Sequence, residues 1–128
     1  MDITNNSGAP ITINRFFAYW LDTGPTAPLL VAALRELKRL QAAGQPSFRV
    51  VFHHAIVSMG GAGSMGEENL SGPEVNFVFR MEKLAGGLKL SNLMSEAAAS
   101  RLKGLLPGRP AGRHALSGFD GQFAFLTF

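Results

Sequence analysis

The sequence predicts one α+β domain, an antiparallel-rich sheet with helices packed on one of its faces. Three observations predict it. Strand-type and helix-type segments are mixed along the chain. Residues 48–58 are nearly all apolar or histidine, as expected of a strand covered on both faces. Two segments of helical spacing carry proline in their opening turns, and one of them stops near a glycine.

Residues 1–9 are polar and contain glycine, which predicts a loose N-terminal segment before a domain over residues 10–128. Residues 11–13 and 16–21 have the composition of two short strands, a hairpin around Asn14-Arg15. The first helix takes Pro28 into its opening turn and stops near Gly44. Leu30, Ala33, Leu34, Leu37 and Leu40 keep helical spacing along it. Residues 59–66 hold four glycines and predict a flexible arm. Gly72-Pro73 then opens a second helix. A strand follows near residues 90–94, a helix over about residues 95–105, a Pro/Gly loop and a final hairpin ending at Phe128.

Composition bounds the function. A chain of 128 residues that is 46% hydrophobic can build a core. No apolar run is long enough to span a membrane, and no signal peptide is visible. The absence of cysteine excludes disulfides, thiolate metal sites and cysteine nucleophiles, and fits a cytoplasmic protein. The net charge is +3, but its cations are scattered over Arg35, Lys38, Arg39, Arg101, Lys103, Arg109 and Arg113. That scatter predicts a solvated surface and no nucleic-acid partner.

The most informative stretch is Gly72-Pro73-Glu74-Val75-Asn76-Phe77-Val78-Phe79-Arg80-Met81-Glu82. On a helix Asn76 and Arg80 project side by side, and Lys83 extends their polar face. Val75, Phe77, Val78, Phe79, Met81 and Leu84 supply apolar surface around the rest. A guanidinium beside an amide can hold a phosphate and a sugar hydroxyl. The plain alternative is a solvated helix face.

This stretch resembles the Asn-x-x-x-Arg helix of the class III nucleotidyl cyclases, the adenylate and guanylate cyclases. Phe48-Arg49-Val50-Val51-Phe52-His53-His54-Ala55-Ile56-Val57-Ser58-Met59-Gly60 is similar to that family's central strand. Phe16-Phe17-Ala18-Tyr19-Trp20 is similar to the strand after its metal hairpin. Leu93-Met94-Ser95-Glu96-Ala97 is similar to its strand-to-helix step, and Leu116-Ser117-Gly118-Phe119 to its closing Leu-x-Gly-Phe strand. The resemblance covers about residues 10–128. It implies a ferredoxin-like cyclase core lacking the first strand and two helices.

The resemblance also implies a chemistry. A purine nucleoside triphosphate, ATP or GTP, would be cyclised at a site between two protomers, with Mg or Mn as the metal. Asn76 falls on the ribose-orienting asparagine and Arg80 on the phosphate-stabilising arginine, the two implied catalytic residues. Asn69 falls on the base-reading position. Asn14 lies where the family has a metal aspartate, and Pro10 where it has a base-reading lysine. An amide is a poor ligand for a hard cation, so the metal ligands are not found in this chain. Met1-Asp2-Ile3-Thr4 is only faintly similar to the family's first strand. The expected function is therefore a cyclase homology domain, incomplete or inactive alone, working as a homodimer or heterodimer. A fragment, a pseudo-enzyme and one half of a heterodimeric site remain open. The alternative is a non-catalytic module for dimerisation or nucleotide sensing.

Other residues have plainer readings. His53 fits a core histidine satisfied by its neighbours better than a ligand or base. His54 and His114 have no partner visible in the sequence. Glu67 and Glu68 are adjacent, so on a strand they would point apart, which fits solvated carboxylates better than a metal pair.

Overall fold

The computed structural model describes residues 17–19, 21–44, 47–56 and 72–128. Helix α1 (Thr26–Ala43) leads to strand β1 (Val50–Phe52), helix α2 (Pro73–Leu88), strand β2 (Asn92–Ser95), helix α3 (Glu96–Arg101) and the hairpin β3 (Arg109–His114) and β4 (Phe123–Thr127). The four strands form one mixed sheet in the order β1-β2-β4-β3. β1 and β2 are parallel, with Val51 opposite Leu93, and the other two pairings are antiparallel. The architecture is thus α+β. Among the described residues no helix is long and apolar enough to cross a membrane.

The helix boundaries follow from local chemistry. α1 ends where Gly44 turns into the left-handed region at φ 81, which a glycine adopts without strain. α2 starts with Pro73 in its first turn, where the missing N–H costs nothing. Ser95 caps α3 by accepting the Ala98 N–H at 3.1 Å.

The helices cover both faces of the sheet, which corrects the expectation of one. Neighbouring strand residues point to opposite sides. Leu93 packs with Phe77, Met81 and Ala85 of α2, while Met94 packs with Leu30, Val31 and Leu34 of α1 and with Ala98 of α3. β1 divides the same way, Val51 towards α2 and Val50 and Phe52 towards α1. All four residues of β2 are buried, because it lies inside the sheet with helices above and below.

Several expected elements shift. Of the long strand expected over residues 48–58, the described residues 48–56 are strand at Val50–Phe52, at one end of the sheet order and half-buried, and residues 57–58 lie outside the described residues. The strand near residues 90–94 lies at Asn92–Ser95. The third helix stops at Arg101 and continues as turns to residue 105. Leu116-Ser117-Gly118-Phe119 is not a strand. It lies in the turn between β3 and β4, where Gly118 and Gly121 have φ 88 and 81. On α1, Ala33 and Leu40 face outward, and Ala27 and Val31 take the buried positions. Of the expected N-terminal hairpin, residues 17–19 are not in a strand, and Asn14 and Phe16 lie outside the described residues. Pro10, the glycine-rich arm, Glu67, Glu68 and Asn69 lie outside them too.

Candidate functional site

α2 has one face fixed by the core. Phe77, Met81 and Ala85 are buried at helical spacing, and Phe77 meets Phe119 and Phe123 edge-on at 5.3 and 5.2 Å. That packing turns Asn76, Arg80 and Lys83 outward, and all three are exposed. Asn76 and Arg80 are one helical turn apart, about 5–6 Å between their Cβ atoms. The polar face expected from the sequence is therefore formed.

The charges of α2 are divided by side. Both of its acids are engaged. Glu74 Oε2 meets His53 Nε2 at 2.7 Å, and Glu82 Oε1 accepts from Arg49 at 2.7 Å. Both of its cations, Arg80 and Lys83, have no hydrogen-bond or ion partner among the described residues, and neither has the Asn76 side chain. Two like charges three positions apart repel, and an anion between them relieves the repulsion.

Two further clusters sit at the end of β1. His53 points to the α2 side of the sheet. Its Nδ1 bonds Ser95 Oγ at 2.7 Å, its Nε2 bonds Glu74, and its ring stacks on Phe77 at 4.6 Å. A serine, an imidazole and a carboxylate in line have the order of a hydrolytic triad. The serine is not placed for attack, because Ser95 is only 3% exposed and its oxygen already accepts the Ala98 N–H. His53 is a core histidine satisfied by its neighbours.

His54 bonds Asp22 at 2.9 Å, and Arg101 grips the same carboxylate with two bonds of 2.6 and 2.8 Å. The Arg101 hydrogen bonds, and then the His54 contact, hold the Asp22 carboxyl below the usual carboxylate range. A depressed carboxyl stabilises the fold above its unfolded pKa and loses that contribution as the pH falls through its folded pKa. Asp22→Asn should therefore lower the melting temperature slightly at neutral pH, and that difference should shrink as the pH is taken down below the ordinary carboxylate range. Melting curves of both proteins across that range check this. An equal difference at both ends would contradict it.

Sequence reasoning did not find Glu74, Ser95, Asp22 or Arg101 in these roles. Ser95-Glu96 before a helix is a capping signal, but the partnership with His53 depends on the β1–β2 register. Among the described residues no group of three or more His, Asp or Glu side chains could hold a metal ion. His114 bonds the Ala111 carbonyl within its own strand at 2.7 Å. Comparison with protein-family models, with curated proteins and with solved structures gave no match to this chain.

Proposed function

We propose that the chain is an adenylate/guanylate cyclase homology domain that takes a purine nucleoside triphosphate, ATP or GTP, on the outer face of α2, and that it is inactive or nearly so alone. One observation carries this reading. Asn76, Arg80 and Lys83 stand exposed and have no side-chain partner among the described residues, while both acids of the same helix are committed elsewhere. A guanidinium and an ammonium would receive phosphate oxygens, and the Asn76 amide a ribose hydroxyl. The resemblance of the whole α2 segment to the family's helix supports the same assignment.

Among the described residues no group of three or more His, Asp or Glu side chains could hold the family's magnesium or manganese. A second chain, in a homodimer or a heterodimer with a cyclase domain, would have to bring the carboxylates. Exposed Leu21, Leu29 and Ile56, at 73%, 71% and 98%, are compatible with such association.

Calorimetry of wild type, Arg80→Ala and Asn76→Ala with ATP and GTP tests the reading. Arg80→Ala should weaken binding by about 1–3 kcal/mol, the usual range for a lost charge-assisted bond. It should hardly change the melting temperature, because an exposed arginine contributes little to a fold. Asn76→Ala should act in the same direction and less strongly. The two should be non-additive if one ligand touches both. No binding by wild type at about millimolar triphosphate, the weak end of the affinity scale, would sink the proposal. A variant whose chief defect is a lower melting temperature would do the same.

A further inference from the structure

The Ser95–His53–Glu74 chain of contacts joins three elements. His53 directly follows β1, Ser95 ends β2 and caps α3, and Glu74 lies in the first turn of α2. Its hydrogens can be assigned from the donor inventory alone. As a carboxylate, Glu74 only accepts, so the 2.7 Å contact requires Nε2 to carry the proton. In the neutral ring Nδ1 is then an acceptor, and the 2.7 Å contact to Ser95 is filled by the serine hydroxyl. Ser95 Oγ in turn accepts the Ala98 N–H. The donors run one way: Ala98 N–H to Ser95, Ser95 O–H to His53, His53 Nε2–H to Glu74. Phe77 stacked on the ring leaves it little room to flip, and the imidazole side chain is 10% exposed.

Glu74 is two residues before Asn76 and six before Arg80. The first turn of a helix is where backbone N–H groups lack intrahelical partners and the element frays most easily. A side-chain bond there holds the turn that presents Asn76.

We propose that His53 is a positioning residue, which in its neutral, Nε2-protonated form pins the opening turn of α2, and with it the Asn76–Arg80 face, to the carboxyl end of the β1–β2 pair. Its consequence for a ligand rests on the reading of that face as a triphosphate site. The pinning itself does not.

Two measurements decide it. Nitrogen NMR of histidine-labelled wild-type protein at about pH 8, where an ordinary imidazole is neutral, should show His53 with its proton on Nε2. A proton on Nδ1 overturns the assignment. Amide exchange in two variants then separates the ends of the chain. His53→Gln places an amide donor near the Nε2 position and keeps the Glu74 link. His53→Asn places an amide oxygen near Nδ1 and keeps the Ser95 link. His53→Asn should speed exchange over residues 76–79 about tenfold and spare Ala98, and His53→Gln should do the reverse. Equal effects of both variants on both segments overturn the proposal. Should neither variant fold, Glu74→Ala against Glu74→Gln serves instead: the alanine should loosen residues 76–79 and the glutamine, whose oxygen still accepts Nε2–H, should not. No difference between those two overturns it as well. If the exchange pattern holds and the protein binds no ATP, the ligand reading falls and the pinning stands. If ATP binds and His53→Asn binds it as tightly as wild type, the positioning role fails instead.

Discussion

Phe77→Ala is expected to destabilise the protein by about 3–5 kcal/mol, the usual cost of deleting a buried aromatic ring. Phe77 is 7% exposed and stands where α2 meets the sheet. Its ring touches Phe119, Phe123 and Phe125 at centroid distances of 5.3, 5.2 and 6.1 Å, and it stacks on His53 at 4.6 Å. Truncation removes the transfer free energy of the ring and leaves a cavity whose walls belong to β4 and to the β3–β4 turn, so it cannot collapse freely. It also strips one face from the imidazole that holds Glu74. The melting temperature should fall by on the order of 10–20 °C. Phe77→Leu should cost clearly less, because it keeps much of the volume. Urea unfolding of the three proteins measures this. A cost below about 1 kcal/mol for the alanine would mean that α2 does not pack on the sheet through this residue.

The second large effect is on catalysis. Alone, the chain is expected to be inactive, or nearly so, in converting ATP or GTP to a cyclic nucleotide with manganese. Cyclisation needs the α-phosphate clamped and the 3′-hydroxyl activated, and in the cyclases two metal-bound aspartates do this. In the proposed cyclase register, which aligns Ala18-Tyr19-Trp20 with the strand after the metal hairpin, Asn14 stands in place of one aspartate and Pro10 in place of the base-reading lysine. Losing metal clamping removes several kcal/mol of transition-state stabilisation, roughly several decades in rate. Both positions lie outside the described residues, so the prediction stands on the sequence register. Robust metal-dependent turnover by the purified chain would show that register to be wrong.

The parts of the fold legible in the sequence were those with local causes. α1 stops at Gly44 and α2 opens at Pro73, because a left-handed glycine and a proline in a first helical turn act through the backbone beside them. The outward turn of Asn76 and Arg80 was legible for the same reason, since helical spacing alone sets it against Phe77 and Met81. Features with distant causes were not legible. A run such as residues 48–58, nearly all apolar or histidine, has no clear period, so it does not reveal that among its described residues Val50–Phe52 pair as a strand. The coverage of both sheet faces follows from which helix meets Leu93 and which meets Met94. His53 finds Ser95 because β1 and β2 are parallel in one register, and Asp22 meets Arg101 across 79 positions of chain. Neither pairing leaves a mark on local spacing.

Whether the outer face of α2 receives a triphosphate is the central question. Titrating ATP, and separately GTP, into isotope-labelled protein and following the Arg80 guanidinium and Asn76 amide resonances tests that most directly. The predicted result is a saturating shift of both side chains, with Lys83 following, and little change at Phe77, Met81 and Ala85 on the buried side. Shifts confined to other surfaces, or none at about millimolar nucleotide, the weak end of the affinity scale, would contradict it.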